Sequence, residues 1–381
     1  MQTLNVKHEL IRWALERSGR SVEGLARQFP KLGKWESGEA QPTLKQLEAL
    51  AKKTWTPLGY FFLPEPPQEK LPIPDFRTVS DRPVGSASPN LIDTLHTMQR
   101  RQTWMRDYLI DRGHEPLPFI ASANLRESPA TVAQRIRRVI GTGDGWASHH
   151  GTWSDALRHL REAIEAAGIL VVINGVVGND THRKLDTEEF RGFVLMDGYA
   201  PLIFVNGSDA KSAQMFTLAH ELAHLWVGES ALFNLYNFEP SEFTVEQFCN
   251  KVAAEFLVPA REFEIFWPRA IQDAEPFQNI ARYFKVSPIV AARRAQDLGL
   301  IQQTEFLIFF RSYQEDERRK AARVSGGGNF YQTQNVRLGK RFARAVALAA
   351  KEGRLLYRDA YRLTDLHGAT FDKYAKTLGT S

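Results

Sequence analysis

Between Phe216 and Trp226 the chain reads FTLAHELAHLW, with His220 and His224 four residues apart. The longer stretch SDAKSAQMFTLAHELAHLWVG meets no helix breaker before Gly228 and predicts one helix, with Ser208 or Asp209 as its N-cap. Residues four apart share a helix face, so both imidazoles can reach one ion. Glu221 lies about 100° further round. From there it can hold a metal-bound water without ligating the metal. Without a metal, two histidines on a buried face would need hydrogen-bond partners in the core.

A tight zinc site usually takes three protein ligands and keeps one open position. No third histidine follows at the HExxHxxGxxH spacing, because Gly228 and Glu229 come directly after HLWV. The third ligand is therefore expected to be a carboxylate on a later helix, and Glu242, Glu246 and Glu255 are the candidates. Glu246 is best placed, because Asn250 follows four residues later on the same face and can support the site from behind the ligands. Glu255, nine residues on, points to the opposite side of that helix.

The surroundings predict a mixed fold. SDALRHLREAIEAAG is a helix ending at Gly168, and ILVVI is a β-branched run expected as a buried strand. NGVVGNDTHRKLDTEE is expected as a polar loop, followed by strands FRGFVLMD and APLIFVNG around a turn at Gly198. The motif helix comes next, then EQFCNKVAAEFLV as a second helix stopping before Pro259. Together these make an α+β unit. Helices are also expected at 8–19, 21–29, 43–54, 90–112 and 276–301. Five prolines between Leu63 and Asp75 predict an extended linker.

FTLAHELAHLW followed by EQFCNKVAAEFLVP resembles the ImmA/IrrE family of zinc metallopeptidases, whose pattern is HExxH, then E-x-x-A/C-N and A-A-E-L-x-P. Glu246, Cys249, Asn250, Ala253, Ala254, Glu255, Leu257 and Pro259 stand in that pattern, and the resemblance runs from about residue 155 to 300. It implies zinc held by His220, His224 and Glu246, with Glu221 as general base and Asn250 behind the ligands. It also implies a small-sheet, gluzincin-like peptidase domain flanked by helical, helix-turn-helix-like domains. In that family the substrates are helix-turn-helix repressors of stress or mobile-element genes. Chemically, zinc lowers the pKa of its water to about 7. Glu221 would take that water's proton and return it to the leaving amine. Arg191, Tyr236 and His182 are the candidates for stabilising the oxyanion. A substrate strand is expected to add to the edge of the FRGFVLMD–APLIFVNG sheet. Cys249 is expected to be a small buried thiol.

The N-terminal segment resembles an Xre-type helix-turn-helix in Leu25-Ala26, Trp35-Glu36-x-Gly38 and Pro42-Thr43. Only ten positions separate Leu25 from Trp35, and they include Pro30 and Gly33, which shortens the expected recognition helix. Lys31 and Lys34 are its DNA-contact candidates. A second such element is expected at IARYFKVSPIVAARRAQDLGLI, with Arg293 and Arg294 as contacts. The domains are expected as residues 1–66 (Xre-like), 67–115 (linker and long helix), 116–265 (peptidase), 266–303 (helix-turn-helix-like) and 304–381 (α-rich).

The formal net charge of +5 permits nucleic-acid contact without arguing for it, since charge must be clustered to matter. One cysteine excludes an internal disulfide, and no run of 18 apolar residues occurs. A soluble, cytoplasmic chain is expected. Its functional reading is a zinc endopeptidase acting on a protein, with a homodimer left open. The alternative is an Xre-type antitoxin or transcriptional regulator that binds DNA and a toxin with little catalysis.

Overall fold

Amphipathic helices dominate the chain, and one small sheet supports the HExxH helix. The structure is a computed structural model that describes residues 3–69, 87–228, 245–315 and 330–379, together with the backbone of 232 and 233. The chain divides into two compact units, Met1–His96 and Thr97–Ser381.

In the first unit, helices α1 (His8–Arg17), α2 (Val22–Leu25), α3 (Leu32–Glu36) and α4 (Leu44–Lys53) surround a core of Leu10, Ile11, Trp35, Leu47 and Phe61. Ser21 caps α2 through the Gly24 amide. Thr43 and Gln46 form a reciprocal capping box on α4. Helices α2 and α3 are only four and five residues long. The proline-rich stretch is not free at its start. The Glu69 carboxylate receives Arg17 Nη2 at 2.8 Å, and that guanidinium also donates to the Trp55 carbonyl at 3.1 Å. The rest of that expected linker lies outside the described residues.

Helix α5 (Pro89–Asp111) crosses the division in the chain. The second unit continues with α6 (Pro129–Ile140) and α7 (Trp153–Ala166), then strands β1 (Leu170–Asn174), β2 (Val176–Val177), β3 (Asp180–Lys184), β4 (Gly192–Leu195) and β5 (Leu202–Asn206). Helix α8 (Lys211–Val227), strand β6 (Leu232–Phe233) and helices α9 (Val245–Leu257), α10 (Ala260–Ala270), α11 (Pro276–Phe284) and α12 (Pro288–Asp297) follow. The chain closes with α13 (Gln303–Glu315), α14 (Phe330–Leu338), α15 (Lys340–Lys351), α16 (Tyr357–Thr364) and α17 (Gly368–Thr377).

The main sheet has the order β1-β5-β4-β6, with β1 parallel to β5 and the other pairs antiparallel. Every residue of β1, β4 and β5 is buried, as the unbroken apolar runs require. Helix α8 packs on β4 and β5 and against α7, with α9 alongside it. The β1 edge is covered by α14. The stretch expected as a polar loop holds a two-stranded hairpin, β2 with β3. Its residues 180–184 are almost all exposed, so no alternation of apolar and polar residues marks the strand. Neither Ser208 nor Asp209 caps α8. Ala210 occupies the N-cap, because the Asp209 carboxylate is taken by Arg191 at 2.7 Å. Among the described residues no helix is long and apolar enough to cross a membrane.

Candidate metal centre

Helix α8 is buried on almost all sides from Gln214 to Trp226. Its C-terminal end is fixed by residues 119–123. The Leu225 and Trp226 carbonyls accept from the amides of Ala121 and Ala123, Phe119 stacks on Trp226 at 4.6 Å, and Gly228 takes a left-handed φ of 95°. A side chain at Gly228 would also run into Ala121. His220, Glu221 and His224 are therefore fully buried on a helix held at its end and along its face.

The two imidazoles point at each other, with Nε2 atoms 2.9 Å apart. Glu246, in the first turn of α9, closes the triangle. Its Oε2 lies 3.1 Å from His220 Nε2 and its Oε1 lies 3.2 Å from His224 Nε2. Ligands around a tetrahedral metal with bonds of about 2.0–2.1 Å sit about 3.3 Å apart. The His–His separation and the distance from each histidine to one Glu246 oxygen are of that size, and one ligand atom from each of the three residues lies within 4.8 Å of the other two. This is the one group of His, Cys, Asp and Glu among the described residues that can hold a metal ion in this way. Asn250, one turn beyond Glu246, faces His220 and favours its protonated ring. Glu255 points away and binds Arg294, while Glu242 lies outside the described residues.

Burial lowers the His220 pKa, against the pull of Glu246. Burial would raise the Glu246 carboxyl, but hydrogen bonds and charge from the two histidines outweigh it and hold it well below the ordinary range. The set is thus suited to a cation: an anionic carboxylate closing on two imidazole nitrogens. Glu221 differs. Burial, reinforced by the negative Glu246, pushes its pKa well above the ordinary value. Neither of its oxygens has a hydrogen-bond partner among the described residues. A carboxyl group placed in this way, beside a cation site and without protein partners, is able to accept a proton from a bound water and release it again.

The spacing of the motif residues does not point to one further contributor. Gly192 of β4 lies directly over α8, where an added Cβ would be 2.5 Å from Thr217 Cγ2 and 3.1 Å from Glu221 Oε1. A glycine inside an apolar strand marks such a close approach, and FRGF carried that signal.

Residues 164–296 match the IrrE N-terminal-like domain, a peptidase family. This IrrE-like region takes in the main-sheet strands, both site helices and the residues His220, Glu221, His224 and Glu246. It supports a metallopeptidase-like function for this part of the chain. Residues 338–377 match a domain of unknown function. No curated protein and no solved structure matches the chain.

The other expected site residues fall elsewhere. Arg191 is committed to Asp209, His182 is exposed on β3, and Tyr236 lies outside the described residues. The outer edge of β4, expected to take a substrate strand, already pairs with the chain itself: Gly192 with Phe233 and Phe193 with Leu232. Cys249 is buried on the core side of α9. Lys31 and Lys34 are exposed, but Lys31 precedes and Lys34 lies within the five-residue α3. Arg294 cannot meet DNA as expected. It is buried, donates to the Val258 carbonyl at 3.0 Å and pairs with Glu255. Arg293 is partly exposed and paired with Asp297 at 3.0 Å.

Proposed function

We propose that this chain is a zinc-dependent endopeptidase that cleaves a protein substrate, with a helix-turn-helix transcriptional regulator as the substrate class. The observation behind this reading is the convergence of His220, His224 and Glu246 beside a buried Glu221 whose oxygens have no hydrogen-bond partner among the described residues. His220, His224 and Glu246 would hold the ion, whose open position supplies an activated water and polarises the scissile carbonyl. Glu221 would accept one proton of an attacking water as its oxygen bonds to the carbonyl carbon, and would deliver it to the amide nitrogen as the C–N bond breaks, so that one water is consumed and an acid and an amine are released. Asn250 keeps His220 oriented, a support that ligating histidines commonly receive. The match to a peptidase family over the same residues supports the reading. The alternative, a regulator binding DNA and toxin through the Xre-like segment, gains little from a five-residue α3.

The test is co-expression with regulators encoded beside the gene, followed by mass spectrometry of the products. Wild type should cut one of them at a defined bond. Glu221→Gln should slow cleavage by about 10²–10⁴-fold, the usual weight of a general base, while still binding zinc. Cleavage at equal rates by both proteins would refute this assignment.

A further inference from the structure

The whole chain has a formal net charge of +5. Residues 338–377 alone hold nine basic and four acidic side chains, a surplus of five, so the remainder of the chain balances to zero. The N-terminal unit is nearly even, with ten basic and eight acidic side chains over residues 3–69. Where positive charge is concentrated, its partner should be anionic.

The surplus sits on a three-helix unit, four of it on α15 and its C-terminal end (residues 340–354) and one over the two following helices and their turn, where Asp365 is paired with Arg101. Helix α15 packs against α16 and α17. Three residues join α16 to α17, and Asp365 makes the bend with a left-handed φ of 54°. Ala360, Leu366 and Phe371 form the interior, with the Tyr361 ring against Phe371 at 5.5 Å. Two short helices joined by three residues and packed on a third are the layout of a helix-turn-helix, in which the second helix enters the major groove.

The side chains suit that role. On α17, Ala369, Lys373 and Lys376 form one exposed stripe at i, i+4 and i+7, with Asp372 exposed beside it. Its first turn exposes only Gly368, Ala369 and Thr370, so nothing bulky holds the helix away from a groove. On α16, Arg358 and Arg362 are 75% and 81% exposed, and both lean on the single carboxylate of Asp359, which leaves one positive charge in surplus. At ten residues, α17 is about 15 Å long, against about 7.5 Å for the five-residue α3.

We propose that the C-terminal three-helix unit binds duplex DNA, with α17 in the major groove and Arg358 and Arg362 on the flanking phosphates. This goes beyond the hydrolytic reading and does not depend on the metal centre.

The test is fluorescence anisotropy of the full chain with a labelled duplex of arbitrary sequence across a salt series. Replacing Arg358, Arg362, Lys373 and Lys376 together by Gln should weaken binding by about tenfold or more. It should also flatten the slope of log affinity against log salt by about 1.8, since the phosphate contacts of Arg358 and Arg362 contribute about 0.9 each. Lys31→Gln with Lys34→Gln should bind within about twofold of wild type, as expected if no phosphate contact is lost there. All four positions are exposed, so the quadruple variant should melt like wild type. Thr370→Glu, a single charge on the exposed first turn of α17, should give a similar loss by an independent route. Wild-type affinity in both variants would overturn the proposal. So would a loss that falls on Lys31 and Lys34 instead, or displacement of the DNA by polyglutamate at matched charge, which would mark a general anion surface.

Discussion

Helices α8 and α12 each display a pair of chemically capable side chains, and their spacing decides what becomes of them. His220 and His224 on α8 are four apart, point the same way and meet Glu246. Arg293 and Arg294 on α12 are adjacent, and neighbouring residues diverge by about 100°. One turns outward to Asp297, and the other turns inward to Glu255 and the Val258 carbonyl. A pair that shares a face can form a site, whereas an adjacent pair is divided between surface and core.

The largest effect that would sharpen this contrast is Arg294→Ala. Removing one partner of a buried pair leaves the other charge uncompensated, a loss of about 3–5 kcal/mol. Arg293→Ala, at a half-exposed pair, should change stability by less than about 0.5 kcal/mol. Denaturant melts of the two variants measure the difference, and equal losses would break the comparison.

Next is Gly192→Ala, which brings a methyl group against Thr217 and the Glu221 carboxyl. Overpacking of this kind destabilises by about 1–3 kcal/mol. Zinc content should survive, because no ligand is touched, while cleavage falls with the displaced Glu221. Loss of zinc together with activity would show that β4 positions the ligands as well.

The smallest effect concerns Glu165, a buried carboxylate outside the metal centre. Burial raises the Glu165 pKa above 4.5, against the lowering influence of Arg161 and of the Arg341 and Lys340 amides. A carboxyl with a raised folded-state pKa contributes stability that is present below its unfolded pKa and lost as pH rises through the folded value. Wild-type Tm should therefore fall relative to Glu165→Gln as pH rises from about 4 toward 7. Parallel curves would remove Glu165 from the pH dependence.

Much of the centre could be read in the sequence because burial imposes periodicity. The α8 pattern, the apolar runs of β1, β4 and β5 and the four-residue step from Glu246 to Asn250 are all consequences of packing against a core. What escaped reading was governed by local competition or by exposure. The β2–β3 hairpin has an exposed strand and so no alternation. The α8 cap shifted to Ala210 because Arg191, on the loop before β4, claims Asp209. The inward turn of Arg294 followed from adjacent spacing, yet its partner Glu255 lies 39 positions away and no local pattern names it. Exposed charge leaves the weakest trace of all. It shows in the uneven distribution of net charge along the chain rather than in a motif.

The central claim is that His220, His224 and Glu246 hold one zinc ion while Glu221 does not ligate it. Metal content of the purified chain by mass spectrometry, for wild type, Glu246→Ala and Glu221→Gln, tests it most directly. The account predicts about one zinc per chain in wild type and in Glu221→Gln, with affinity in Glu246→Ala weakened beyond the roughly 10–100-fold typical of losing a supporting residue. Wild type without zinc even after the metal is added back, or Glu246→Ala retaining it at full affinity, would contradict the account.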